Sequence, residues 1–155
     1  MIKKSVLIFF LMLTVFLNGC DDQALSPEDE VRNYINRGVA AAESRSAGDL
    51  GEMIYDLYLD HKGLGKQQTV KLLRLYFFKH KNIFLFTKIR DITFPTAQEA
   101  TVSLHVAMAG SVIADASMLS SLRARVYKFE LSLIKQDEWL LKYAKWQPAS
   151  MGDME

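Results

Sequence analysis

Near Asn82 the apolar residues of this chain change their spacing from every third or fourth position to every second, which constrains the fold more than any other feature. Before that point, Ser26-Pro27-Glu28-Asp29 is a helix start. Ser26 can cap, Pro27 suits a first-turn position whose N–H would be unpaired anyway, and the acids complement the positive end of the helix dipole. Val31, Tyr34, Ile35, Val39 and Ala42 predict one buried stripe on a helix that ends between Arg45 and Gly48. Asp49, with Glu52 three residues later, predicts a short second helix through Met53, Ile54 and Leu57. The glycines of His61-Lys62-Gly63-Leu64-Gly65 predict a loop. Val70, Leu73, Tyr76 and Phe77 then mark the buried side of a third helix over 66–81, with Lys71, Arg74 and Lys81 in solvent.

Beyond Asn82, segments 82–94, 100–109, 122–135 and 139–146 are rich in β-branched and aromatic residues and alternate in polarity, which predicts strands. Residues 95–99 read as the first hairpin loop. A three-residue loop Gln136-Asp137-Glu138 places Leu133 and Leu131 opposite Leu141 and Tyr143, with Ser132 and Glu130 opposite Lys142 and Ala144. Residues 110–121 admit a long loop, a strand extension or one helical turn. Three helices before at least four antiparallel strands define an α+β domain, its N-terminal helices packed on one face of a strongly curved antiparallel sheet.

The N-terminus carries a different message. Met1-Ile2-Lys3-Lys4 leads into an apolar run from Val6 to Leu17, about 12 residues against the roughly 20 of a membrane span. A basic start, a short apolar core and a small residue before Cys20 fit a secretion signal over 1–19. Leu17-Asn18-Gly19-Cys20 resembles the bacterial lipobox, which implies that Cys20 is diacylglyceryl-modified and palmitoylated, with residues 20–26 a lipidated cysteine and linker. Cys20 is the one cysteine in the chain, so no intramolecular disulfide can form, and a lipidated thiol is neither nucleophile nor metal ligand. Asp21 and Asp22 resemble the sorting signal that retains lipoproteins at the inner membrane of Gram-negative bacteria. The expected address is the cell envelope, lipid-anchored on the periplasmic face of the inner membrane.

Removing the first 19 of 155 residues leaves 136, the size of one domain. Losing Lys3 and Lys4 turns the formal charge from +1 to −1, so nucleic acid is not an expected partner. The charge is unevenly spread. Ten acids lie between Asp21 and Asp60, and none between His61 and Arg90, where Lys62, Lys66, Lys71, Arg74, Lys79, Lys81, Lys88 and Arg90 fall. The three histidines show no metal-ligand spacing, and no phosphate-cradling glycine motif is present, so no cofactor or metal is expected.

Gly48-Asp49-Leu50, Gly65-Lys66 and a closing hairpin from Phe129-Glu130-Leu131-Ser132-Leu133-Ile134 to Glu138-Trp139-Leu140-Leu141 resemble the nuclear-transport-factor-2-like superfamily, also called the cystatin-like cone fold. The resemblance spans residues 27–148 and leaves 149–155 as a flexible tail. It implies a cone that in some members is an isomerase, dehydratase or epoxide hydrolase site and in others a binding or dimerising module. In the enzymes, acids, histidines and tyrosines project into the cone. Asp60 and His61 are adjacent, so an extended backbone points them to opposite sides and they do not make an acid–base pair. His105 alternates onto a strand's second face, and tyrosines suit a cone that is greasy inside and wet at its mouth. Tyr34, Tyr55, His105 and Tyr127 are therefore the pocket candidates, and no catalytic residue is assigned. The expected function is a non-enzymatic binding or assembly module with a protein partner, a homodimer or a small apolar ligand. The alternative is a small-molecule isomerase or hydrolase using the cone pocket.

Overall fold

The computed structural model describes residues 25–119 and 121–154. The signal segment 1–19, Cys20, Asp21 and Asp22 lie outside them. Helix α1 spans Pro27–Glu43, and Ser26 caps it by accepting the Asp29 N–H at 3.1 Å. Arg45 then takes a left-handed φ of 59° and breaks the helical run. Helix α2, Ala47–Glu52, starts earlier than the sequence predicts. Its cap is Ser46, which accepts the Asp49 N–H at 3.2 Å, so Asp49 lies inside the first turn.

The second difference is larger. Met53, Ile54 and Leu57 do not extend α2, because Ile54–Asp60 is strand β1, which runs parallel to the last strand. The Met53 carbonyl takes two hydrogen bonds, from the Leu141 N–H at 2.9 Å and from the Tyr34 hydroxyl at 3.2 Å. These turn the chain out of the helix and onto a sheet edge, where tertiary pairing overrides a helical spacing. Leu57 is left 76% exposed.

Helix α3, Lys66–Lys79, follows the turn, in which Gly63 holds a φ of 80° that few other residues adopt. Strands β2 (Phe84–Thr96), β3 (Glu99–Ala109), β4 (Arg125–Lys135) and β5 (Trp139–Ala149) complete a five-stranded mixed sheet in the order β1-β5-β4-β3-β2. The architecture is thus α+β as the sequence predicts, with one parallel pair in a sheet expected to be wholly antiparallel. Pro95 sits inside β2, an edge strand, where its missing N–H costs no ladder bond. Strand β4 starts at Arg125 rather than Leu122, since Arg123 has a φ of 51° and residues 121–123 form a turn. The connection before it contains one 3-10 turn, Ala116–Met118, capped by Asp115.

In the closing hairpin the predicted register holds at Leu133 opposite Leu141. A bulge then shifts it by one residue, so Ser132 faces Tyr143, Leu131 faces Ala144 and Glu130 faces Lys145. That shift puts the small Ala144 in the buried layer beside Leu131.

Both faces of the sheet are covered. On one, Ala100, Val102, Leu104, Val106 and Leu133 pack against Val31, Tyr34 and Ile35 of α1 and against Trp139. On the other, Ala107 and Val126 pack against Leu119, Ala124 and Met154. Within the segment 149–155, Ala149 ends β5 and Met151–Met154 forms a 3-10 turn whose Met154 is 2% exposed. Among the described residues, four apolar clusters are built within residues 31–154, and α1 brings its own cap, so the segment from Ser26 contains a core of domain size.

The layer between α1 and the sheet sets the stability. Leu133→Ala, at a 1% exposed position, should lower the unfolding free energy by about 2–5 kcal/mol. Leu75→Ala, at a half-exposed position, should stay within about 0.5 kcal/mol of the parent. Urea unfolding of the two variants checks the contrast.

Candidate functional site

Strand β1 places Tyr58 and Asp60 two residues apart on its inner side, both buried, while Leu57 and Leu59 face solvent. One Asp60 carboxylate oxygen accepts the N–H groups of Lys62 and Leu64, each at 2.8 Å, and so holds the turn into α3. The other, Oδ2, is buried without a hydrogen-bond partner. Beside it, burial pushes the Tyr58 phenol up to about 12, and the Asp60 charge adds to the shift. The Thr69 hydroxyl lies against Tyr58 but is also without a geometrically sound hydrogen bond. His61 sets its ring edge-on to Trp146 at 4.5 Å and makes no hydrogen bond to Asp60, with the Lys62 ammonium 5.5 Å from the same indole. Asp60 and His61 therefore do not form an acid–base pair.

A carboxylate beside a phenol that keeps its proton is the chemistry of a general base and a hydrogen-bond donor. Here both groups are sealed, at 4% and 3% exposure, and half of the carboxylate is engaged by the turn. The arrangement holds β1 to α3.

The four pocket candidates are not brought together. Tyr34 is buried in the main cluster, its hydroxyl donates to Met53, and burial pushes its phenol far up. Tyr55 is half-buried on β1. Tyr127 is half-buried on β4 opposite Val106 and Pro148, near Tyr76, whose hydroxyl donates to the Met108 sulfur. His105 alternates away from Leu104 and Val106, so it lies on the opposite face of the sheet from the α1 layer. There it pairs across with Lys88 and Lys128, and its Nδ1 accepts the Arg90 Nε–H at 3.1 Å. Arg90 also donates to the Asp153 carbonyl, and Lys88 to that of Met154, so this network fastens the C-terminal turn. The sequence missed Tyr58, Asp60 and Thr69 as a group. The signal was the two-residue spacing of Tyr58 and Asp60, visible only once 54–60 is read as a strand.

Two open grooves lie outside the sheet layer. One, of about 1030 Å³, runs between α2 and α3 past Gly51, Glu52, Lys66, Lys71 and Arg74. The other, of about 570 Å³, lies between α1 and the start of β5 near Arg37, Ser44 and Glu138. Among the described residues no cluster of three histidines or acids is placed to hold a metal, and no helix is long and apolar enough to cross a membrane.

This layering of helices on a bent mixed sheet is the cystatin-like, or nuclear-transport-factor-2-like, cone fold. A domain of unknown function with a cystatin-like fold from Nostoc punctiforme matches with a TM-score of 0.61 at 14% identity, over 79% of this chain and 77% of that one. A protein assigned as a scytalone dehydratase from Novosphingobium aromaticivorans matches with a TM-score of 0.66 at 12% identity, over 79% and 84%. A protein assigned as a calcium/calmodulin-dependent protein kinase type II association domain from Thiobacillus denitrificans matches with a TM-score of 0.61 at 13% identity, over 77% and 94%. No family model matches the chain, and no curated protein does. At these identities the likeness is one of fold, and the fold hosts both enzymes and non-catalytic modules.

Replacing Asp60 by Ala should cost about 1–3 kcal/mol, since two turn N–H groups lose their acceptor. Asp60→Asn, which keeps an acceptor oxygen, should cost less in the same urea titration. His105 provides a pH test. Burial, then the Arg90 charge, holds its pKa below the ordinary 6.5. The unfolded chain therefore binds the proton first as pH falls below about 6.5, and stability declines from there through the folded value. His105→Gln should flatten the stability profile between pH 7 and pH 5, about the range where histidine titrates and ordinary carboxylates still do not.

Proposed function

We propose that this chain is a lipid-anchored lipoprotein of the periplasmic face of the inner membrane, whose cone domain acts as a non-enzymatic binding or assembly module. The observation that carries the non-enzymatic part is the filled concave layer. Val31, Tyr34, Ile35 and Trp139 occupy the space between α1 and the sheet that a cone enzyme would leave for its substrate. The relative assigned as an association domain supports an assembly role on this fold, and the one assigned as a dehydratase supports the alternative. The anchor rests on the basic start, the short apolar run and Leu17-Asn18-Gly19-Cys20.

A second reading, a small-molecule isomerase or hydrolase, is favoured by one feature, the unpartnered Asp60 Oδ2 beside the Tyr58 phenol. It requires the β1–α3 turn to open, because neither group meets solvent in the closed form.

Growth with a clickable fatty acid should label the parent protein and leave Cys20→Ser unlabelled; a labelled serine variant would refute the anchor. Replacing Asp21 and Asp22 by serine in a Gram-negative host should shift the protein toward the outer membrane on density fractionation. Unchanged fractionation would contradict the inner-membrane address.

A further inference from the structure

Helix α3 carries a face that the fold does not use. Val70, Leu73, Tyr76 and Phe77 turn inward, yet Leu72, Leu75 and Phe78 lie half or more in solvent, Phe78 at 86% exposure. At 100° per residue these three span about a third of the helix circumference, the half opposite the packed side. Lys71 and Lys79 fall in the same arc, and Arg74 lies about 40° beyond its edge, on the side of the α2–α3 groove. None of the three makes an ion pair among the described residues, whereas Lys66 at the helix start pairs with Asp56 at 2.8 Å. No acid occurs from His61 to Arg90, and the acids across the α2–α3 groove from Lys71 and Arg74 are Glu52 and Asp56.

We propose that this face of α3 docks onto an anionic bilayer surface. Leu72, Leu75 and Phe78 would enter the boundary between headgroups and acyl chains. Lys71, Arg74 and Lys79 would lay their stems along the same apolar layer and raise their charges to lipid phosphates. Apolar and basic groups share one outward arc, which suits a plane that offers both chemistries at different depths. The inference rests on the lipid-anchor reading. About six residues separate Cys20 from Pro27, so at roughly 3.3–3.6 Å each the domain stays within about 20 Å of the membrane, and a weak contact suffices to orient it.

The test uses the chain from Asp21 to Glu155, which holds the four apolar clusters of the described residues and lacks Cys20, so its outcome is independent of acylation there. Failure of docking is thereby separated from failure of the anchor, which fatty-acid labelling reports. Sedimentation with phosphatidylethanolamine–phosphatidylglycerol vesicles at low salt should capture the protein, and phosphatidylcholine vesicles should not. Raising the ionic strength should release it. A basic residue near an anionic surface is worth about fivefold in partitioning, so Lys71→Gln, Arg74→Gln and Lys79→Gln combined should weaken binding by about 100-fold. Leu75→Ser with Phe78→Ser should abolish binding with the charge intact, whereas Leu57→Ser, at an exposed leucine on β1, should leave it unchanged. Circular dichroism confirms that each variant is folded, as expected for surface positions. Equal sedimentation with both vesicle types would overturn the proposal, as would binding that survives the Leu75 and Phe78 changes. A dimer in analytical ultracentrifugation that Phe78→Ser dissociates, without vesicle binding, would give the face to a second copy and overturn it too.

Discussion

A single sheet needs its apolar face covered, and α1 does this with three side chains, Val31, Tyr34 and Ile35. The rest of the structure follows from that contact. Tyr34 carries a hydroxyl into the layer, and that hydroxyl needs a partner; it finds the Met53 carbonyl at the point where α2 ends and β1 begins. The same carbonyl receives Leu141, which lines β1 up beside β5. One turn earlier on α1, Glu30 accepts from Lys135 and from the Trp139 indole, and those bonds hold its carboxyl below the usual range. Helix, closing hairpin and edge strand are thus fixed by two polar contacts at the rim of one apolar layer.

That layer leaves little room inside the cone. The opposite face of the sheet is also occupied, by the connection before β4 and by the C-terminal turn that Lys88, Arg90 and His105 fasten. What remains for recognition is the periphery, with the grooves beside α2 and the outward half of α3. In this chain the chemically able groups, Asp60 and Tyr58, serve as a latch between β1 and α3.

Much of this was legible in the sequence, for local reasons. Ser26-Pro27 and the stripe from Val31 locate α1 because capping and 3.6-residue spacing are both local, and the inward side of α3 was read for the same reason. The loop Gln136-Asp137-Glu138 and the Leu133–Leu141 pair were readable from alternation; the bulge one step further was not, because it is set by how Ala144 fits beneath Leu131. Strand β1 was missed because its partner lies more than eighty residues away and Leu57 happens to fall at helical spacing. Among the candidate site residues, the place of His105 on the second face followed from alternation. That Tyr34 would be sealed depended on the Met53 carbonyl, which no local pattern reveals. The packing of Met154 escaped notice because a short polar ending resembles any solvated tail.

The account stands on the concave layer being filled, and overpacking it is the most direct measurement. Val31 is fully buried against the sheet, so Val31→Phe has no space to occupy and should lower the unfolding free energy in urea by about 1–3 kcal/mol. Unchanged or increased stability, with the phenyl ring found between α1 and the sheet in a crystal structure, would mean that the cone holds an open cavity, and would contradict the reading of this domain as a closed, non-catalytic module.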